Sequence, residues 1–406
     1  MHLCIIAEGI RGTVHLDMAK ALAALGHRVD VWSTSSEAPS PSRFLLVEED
    51  GVRIHFINDR ARAAPGWVLD MLLQRLARRR RIGTELLSIA RFVAAHRGSD
   101  LFLVEGDYPI GMLMALVALR RPARWMVTAH DTQDLLLPIA YPGRHRRRRF
   151  HLAKQWVYRR ATVVRANSPL TRSALVESGC PPAKIAVVPM HIPSWILPTE
   201  AELADLPAFK RRGRVELHAR FGIPDAHDVL LIMCRMSPEK GIDLAVEALA
   251  HVVAKRPLTT LLVCGADRGV RAGLEALAER LGVRGNLLFG GNIWHYATRP
   301  YYAGVELHLA PSIIDTFNFA VVEAALLSTY TLGSEGVGAM PWIEESGRGR
   351  VVRGRDPAVW AAAIVQALDA PPLAAETSTR CDFLLNSLSA AAVAPQLLAA
   401  GMRAEH

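Results

Sequence analysis

The fold is decided by Val229-Leu-Leu-Ile-Met-Cys234 and the residues directly after it, Arg235-Met-Ser-Pro-Glu-Lys240-Gly241. The first six residues form an unbroken apolar run, the pattern of a strand buried on both faces. A helical periodicity starts near Ile242, so Arg235 and Lys240 fall in a loop at the carboxyl end of that strand. Open α/β sheets take their ligands at such loops. Two cations beside a helix N-terminus form a site for a diphosphate. Further on, Asp315-Thr-Phe-Asn-Phe-Ala-Val-Val-Glu323 sets two acids eight residues apart, on nearly one face if the segment is helical. Cations for phosphate and acids for hydroxyls together suggest a nucleotide-sugar site.

The same alternation of short apolar runs and amphipathic helices extends in both directions. Residues 3–7, 28–32, 101–104, 125–128 and 162–166 read as strands of a first half. Residues 229–234, 260–264, 286–289, 306–310 and 330–333 read as strands of a second. Leu16, Ala19, Leu22, Ala23 and Leu25 keep helical spacing and close at Gly26, a C-terminal stop signal. The pattern predicts an α/β protein of two Rossmann-like, doubly wound parallel-sheet domains facing a central cleft. Residues 1–193 would form the N-terminal domain and 194–370 the C-terminal domain, with room for a donor on one side of the cleft and an acceptor on the other. Residues 371–406 would form C-terminal helices that could pack back on the first domain. The stretch 189–224 is rich in proline, charge and polar residues without a strand pattern, and its beginning reads as the interdomain connection.

Composition bounds the possibilities. The chain has 406 residues, half of them hydrophobic, yet no apolar run approaches a membrane span. Met-His-Leu-Cys-Ile-Ile-Ala-Glu8 lacks the basic n-region and cleavage site of a signal peptide and reads as a first buried strand, so a cytoplasmic protein is expected. Cys4, Cys180, Cys234, Cys264 and Cys381 show no CxxC spacing, which argues against a zinc or disulfide framework. Residues 1–195 hold 28 Lys/Arg and 16 Asp/Glu, a net +12, whereas the remainder carries −3. Arg78-Arg-Arg-Arg81 and Arg146-Arg-Arg-Arg149 are the obvious basic clusters, but only six of the 48 basic residues are lysine, so genome composition accounts for part of the excess.

In this order, the motifs resemble those of the retaining glycosyltransferases of family 4, which have the GT-B architecture; the resemblance covers roughly residues 1–370. Besides the two central motifs, it rests on Gly26-His27-Arg-Val29, Val127-Thr-Ala-His130-Asp131, Ala166-Asn167-Ser168 and Lys184-Ile-Ala-Val-Val-Pro189. It implies that Arg235 and Lys240 hold the donor diphosphate and stabilise the leaving group as its charge grows. It implies that Asp315 contacts donor-sugar hydroxyls, that Glu323 accepts from the ribose, and that His130 faces the reacting centre. Backbone amides at Thr316, Phe317, Asn318 and Phe319 would support sugar or phosphate oxygens. Gly9 and Gly12 would let the chain approach the ligand closely. Gly265 and Asn292, at the ends of later strands, are further candidates for the nucleotide pocket.

Each position also has a plainer reading. Arg235 and Lys240 could be a solvated pair, Asp315 an N-cap, and His130 a satisfied strand-end histidine. Glu323 could be an ordinary helix residue, although its apolar surroundings disfavour that. Glu105 and Asp107 could bind a polar acceptor or merely cap their loop; His15 and His191 are weaker candidates. The family usually has Glu at the position of Asp315, Gly at Asn318 and Asn-Gly at Met190-His191. These departures bear on sugar identity more than on reaction class.

The expected activity is metal-independent transfer, with retention, of a sugar from a UDP- or GDP-linked donor to an acceptor hydroxyl or amine. No Asp-x-Asp motif and no metal-ligand spacing is present, so no cofactor is expected beyond the nucleotide sugar itself. The acceptor could be a small molecule, a glycan or a lipid-linked group. Trp67-Val-Leu-Asp-Met-Leu-Leu-Gln-Arg-Leu76, followed by the first arginine cluster, could be a basic amphipathic helix touching an anionic inner membrane surface or an ordinary surface helix. A hydrolytic or non-catalytic homologue would keep donor binding without transfer. Nucleic-acid binding is a rival on charge alone, but no RRM, KH or helix-turn-helix signature accompanies it.

Overall fold

The structure, a computed structural model, describes residues 1–8, 14–35, 44–58, 82–130, 144–294, 297–370 and 377–403. Contacts divide the chain into two compact units, Met1–Pro193 with Ser389–His406 and Ser194–Leu388.

Unit 1 is built on β1 (His2–Glu8), β2 (Arg28–Ser35), β3 (Phe44–Glu49), β4 (Val52–Asn58), β5 (Leu101–Glu105), β6 (Trp125–Ala129), β7 (Val163–Ala166) and β8 (Ile185–Val187). They form one sheet in the order β3-β4-β2-β1-β5-β6-β7-β8. Its helices are α1 (Val14–Ala24), α2 (Ile82–Ala95), α3 (Ile110–Ala118), α4 (Arg144–Arg160) and α5 (Pro169–Glu177). The central strands are covered on both faces, which is why they read as continuous apolar runs: Leu3 through Ala7 are all buried. Ile89, Leu113 and Val157, from α2, α3 and α4, pack on one face; Met18 and Leu22 of α1 pack on the other. Each such side chain removed from water contributes about 1.5–3 kcal/mol.

Three strands of this sheet, β3, β4 and β8, fall outside the strand list read off the sequence. β3 and β4 form an antiparallel hairpin at the edge, turned by Asp50 at φ 48° and Gly51 at φ 76°. Asp-Gly between alternating residues is the signal of such a turn. Val52, Ile54 and Phe56 point inward, with Arg53 and His55 between them; a run half polar on one face lacks the continuous apolar signature of its neighbours.

Unit 2 begins with α6 (Glu200–Ala204) and α7 (Leu206–Phe221), within the stretch that shows no strand pattern. Thr199 starts α6 with a capping box shared with Glu202. The sheet follows, with β9 (Asp228–Met233), β10 (Thr259–Cys264), β11 (Leu287–Gly291), β12 (Leu307–Ala310), β13 (Tyr330–Ser334) and β14 (Gly349–Val352) in the order β11-β10-β9-β12-β13-β14. Every neighbouring pair is parallel. Its helices are α8 (Ile242–Val253), α9 (Arg271–Arg280), α10 (Arg299–Ala303), α11 (Phe319–Leu326), α12 (Met340–Glu345), α13 (Pro357–Asp369) and α14 (Thr377–Leu388). The chain then returns to unit 1 as α15 (Ala390–Gly401), whose Val393, Ala394 and Leu397 join the core beneath α1.

Strand order fixes where a ligand can sit. In unit 2 the connections after β9 and β12 run in opposite directions, which opens a crevice outside their carboxyl ends. In unit 1 the corresponding point lies between β1, whose connection leads to β2, and β5, whose connection leads to β6.

Candidate active site

In unit 2, the hydrogen-bonding pattern of β9 continues beyond its last residue. Cys234 N–H donates to Cys264 O at 2.9 Å and Met236 N–H to Ala266 O at 2.9 Å. Between them Arg235 is exposed at the rim. Gly265 makes this approach of loops feasible: its φ is 141°, and a Cβ there would stand 1.7 Å from Cys234 O. A tight turn then leads to Gly241, at φ 64°, where a Cβ would stand 2.1 Å from Pro311 O. The loops after β9 and β12 are therefore pressed together, and Ile313 N–H donates to Glu239 O at 2.8 Å.

This contact buries Lys240 and brings its Nζ to 2.5 Å from Asp315 Oδ2. Asp315 lies in an extended segment, donating to Gly336 O at 2.7 Å and accepting from Gly338 N–H at 2.9 Å. The helix starts only at Phe319, so Asp315 and Glu323 do not share a helical face as a continuous helix would have placed them. Asn318, not Asp315, is the N-cap: it sits at φ 73° and its side chain accepts from Ala320 N–H at 3.1 Å. Asn tolerates that left-handed conformation better than other non-glycine residues. Phe317 is buried against Phe319 and Trp342, with ring centroids 5.2 and 5.9 Å away, and Thr316 is buried beside it. The segment is thus a lead into α11 held by the Gly336 and Gly338 hydrogen bonds and by the packing of Phe317.

Glu323 stands on α11, part-buried, and accepts from Thr298 Oγ1 at 2.9 Å. Burial raises its carboxyl to about 7, while hydrogen bonds from Thr298 and Tyr302 oppose the rise. Gly265 and Asn292 end adjacent strands: Gly265 N–H donates to Gly291 O at 2.7 Å, and Asn292 is exposed just beyond. β11 is the edge strand, two places from β9, so Asn292 lies to one side of the Lys240–Asp315 pair.

Unit 1 gathers its own cluster at its strand ends. Glu105 closes β5, and its buried carboxylate has His130 Nε2, just beyond β6, at 3.1 Å. His15 Nδ1, on the first turn of α1, is 3.7 Å away, and Arg165 Nη1, on β7, is 3.8 Å away. Burial alone would favour the neutral acid, but the hydrogen bond from His130 and the charges of His15 and Arg165 outweigh it. Glu105 stays ionised, well below the usual carboxylate range. Burial pushes His15 down to about 4 against the attraction of Glu105. It does the same to His191, which also reads about 4 and whose Nε2 donates to Val14 O at 2.6 Å.

The sequence singled out Glu105, His130, His15 and His191 separately; Arg165 escaped it. A buried arginine in a four-residue strand gives no local sign, because its guanidinium is satisfied by Val188 O at 3.0 Å and by Pro189 O. Asp107 has a structural role, receiving the Tyr158 hydroxyl at 2.5 Å with Lys154 Nζ at 3.5 Å. Gly9, Gly12, Asp131, the segment from Trp67 to Leu76 and the cluster at 78–81 lie outside the described residues. Arg146-Arg-Arg-Arg149 lies in α4. Among the described residues one stretch, Asp382–Gly401, is long and apolar enough to cross a membrane. It consists of parts of α14 and α15, whose Leu384, Leu388, Val393 and Leu397 are buried in the two units.

Residues 9–191 match the family described as glycosyl transferase 4-like domain, and residues 214–381 match glycosyl transferases group 1. The D-inositol 3-phosphate glycosyltransferase of Acidothermus cellulolyticus is 27% identical over 231 residues, 53% of this chain and 49% of that protein. The chain thus spans about half the length of this curated relative, and 38% of the enzyme of the same name from Streptomyces scabiei. Two solved structures align over 98% of both chains: Anabaena HepE in complex with UDP, at TM-score 0.68 and 17% identity, and a sucrose-phosphate synthase from Thermosynechococcus elongatus, at 0.69 and 18%. At such identities the likeness is one of fold, two Rossmann-like parallel-sheet domains.

Proposed function

As a member of the family-4, group 1 glycosyltransferases with their GT-B fold, the chain works, we propose, on a nucleotide diphosphate sugar. It moves the sugar to an acceptor hydroxyl or amine, with retention at the anomeric carbon and without a metal in the reaction. The observation that carries this reading is the Lys240–Asp315 pair at the unit-2 switch point, with Arg235 exposed beside it.

The two cations would meet the diphosphate, Arg235 through its planar fork and Lys240 as a point charge. Asp315 holds the ammonium in place beforehand, so little reorganisation is needed when phosphate oxygens arrive. Glu323, in its ionised form, would accept from the ribose hydroxyls. The bond from the anomeric carbon to the phosphate oxygen breaks as the bond to the acceptor oxygen forms on the same face. The acceptor's proton passes to the departing phosphate oxygen, so charge balances without an enzymic nucleophile. In unit 1, Glu105 fixes the orientation of His130, which we assign to the sugar or acceptor hydroxyls. The UDP bound to HepE and the polyol phosphate named for the Acidothermus relative favour a UDP-sugar donor and a hydroxyl acceptor.

A thermal-shift screen of UDP-, GDP- and other nucleotide sugars tests the donor, since a ligand that binds the native state raises its melting temperature. NMR of the product of the stabilising donor reads the anomeric configuration. Transfer with inversion, or hydrolysis alone with every acceptor class, would contradict the proposal.

A further inference from the structure

Charge is spread unevenly over unit 1. Residues 82–95, 110–121 and 144–160, which contain α2, α3 and α4, hold 1, 2 and 8 Lys/Arg and a single acid, Glu85. The rest of the chain carries 37 of the 48 Lys/Arg and 38 of the 39 Asp/Glu, which nearly cancel. Arginine-rich composition elsewhere is thus matched by acids, and composition alone does not account for these three helices. Glu85 is buried, and Lys154 is buried with its Nζ 3.5 Å from Asp107. The three helices therefore offer water no acid of their own.

The helices are neighbours. α2 touches α3, α3 touches α4, and their inner sides fill one core. Arg121 Nη1, in the closing turn of α3, donates to Ala90 O of α2 at 2.6 Å. Their outer sides repeat one pattern. Leu87 and Arg91 are exposed four residues apart on α2. Leu116 and Arg120 are exposed at the same spacing at the end of α3, with Leu119 between them. Arg148 and Leu152 repeat it on α4, and Arg159 follows seven residues after Leu152. Spacings of four and seven keep side chains on one face of a helix. Leu119 and Leu152 are each 55% exposed. One exposed leucine is ordinary, but leucine beside arginine on three adjoining helices is a patterned surface.

We propose that the outer side of α2, α3 and α4 docks on an anionic lipid bilayer. At the boundary of headgroups and acyl chains, arginine heads stay at the lipid phosphates while their stems and the leucines sink below them. Charge complementarity selects an anionic surface, because this side brings cations and no competing acid. The leucines select lipid over nucleic acid. A duplex meets such a face with its phosphates and has no apolar layer to receive Leu116, Leu119 and Leu152. Docking needs no nucleotide, so this inference stands or falls apart from the donor reading.

The test is co-sedimentation of the full chain with vesicles of phosphatidylcholine alone or mixed with phosphatidylglycerol, beside a binding assay with duplex DNA. The expected result is binding to the mixed vesicles and not to the neutral ones, weakened by salt. Arg91→Glu, Arg120→Glu and Arg148→Glu together should lower it at least about 100-fold. Leu116→Ser, Leu119→Ser and Leu152→Ser together should lower it at least about 10-fold without any change of charge. Leu258→Ser, at a similarly exposed leucine of unit 2, should leave it unchanged. Every substituted side chain is exposed, so both triple variants should melt as wild type does; if one fails to fold, the other decides. The inference is overturned by no binding to mixed vesicles, by equal binding to neutral ones, by binding that a folded triple variant retains, or by capture of the duplex in place of vesicles.

Discussion

Lys240 and Asp315 stand 75 residues apart in sequence, yet their charged atoms meet at 2.5 Å where the loops after β9 and β12 touch. Both side chains are nearly withdrawn from water. Removing one partner of such a pair leaves the other charge uncompensated, which typically costs about 3–5 kcal/mol. Asp315→Ala should therefore destabilise unit 2 by about 3 kcal/mol in urea unfolding. Asp315→Glu should restore the ion pair and most of that stability while changing the order of preference among donor sugars. Equal stability of wild type and Asp315→Ala would show that the pair does not form in solution.

Glu323 gives donor binding a pH dependence. In the proposed role the carboxylate accepts from ribose hydroxyls, which the protonated acid does poorly. With its carboxyl raised to about 7, donor affinity should rise as pH increases from 6 to 8, and Glu323→Gln should flatten that profile. The free protein responds in the opposite sense. A carboxyl raised above its unfolded value keeps its proton longer in the native state, so its contribution to stability is full below pH 4.5 and lost as pH rises through 7. Calorimetric titration of the donor at several pH values reads the first effect, and urea midpoints without donor read the second.

Unit 1 should be acid-sensitive for a different reason. His15 and His191 are held near 4 by burial, whereas in the unfolded chain they protonate near 6.5. Stability from these two is present above 6.5 and is lost as pH falls toward 4. The expected observation is a falling unfolding midpoint over that window, reduced in the His15→Gln, His191→Gln double variant. A midpoint constant between pH 7 and 4.5 would mean these rings are accessible to solvent.

Gly265 and Gly241 should tolerate no side chain. Gly265→Ala places a Cβ against Cys234 O, and Gly241→Ala places one against Pro311 O, both at positive φ. Each should cost several kcal/mol, on the order of 3 or more, as for other strained backbone positions. Gly241→Ala should also separate Lys240 from Asp315, so the nucleotide should bind more weakly to whatever fraction folds. Full nucleotide affinity in folded Gly241→Ala would detach this glycine from the site.

Strands such as 229–234 and 3–7 were legible in the sequence because burial on both faces writes an unbroken apolar run. The loops carrying Arg235, Lys240 and Asp315 were legible because they follow the apolar runs at 229–234 and 306–310. The hairpin of β3 and β4 was not, since its outer face carries Arg53 and His55, although Asp50-Gly51 marked the turn. The start of α11 was left open because Asp315 and Asn318 are both good N-caps, and the pairing of Asp315 with the Gly336 to Gly338 segment settles which one serves. The ion cluster of His2, His55 and His96 around buried Asp30 was invisible, because its residues come from four elements and have no common spacing. Such clusters are a property of strand register, not of local pattern.

The central claim is that the loop after β9 reads a diphosphate, and Arg235 tests it most cleanly because it is exposed and its loss should spare the fold. The measurement is the calorimetric affinity of UDP and GDP for wild type and Arg235→Ala at fixed salt. One of the two nucleotides should bind wild type, and the variant should bind it about 10–100-fold more weakly, as expected for one charge-assisted contact worth roughly 1.5–3 kcal/mol. Affinity within a few-fold of wild type, with the fold intact, would contradict the account.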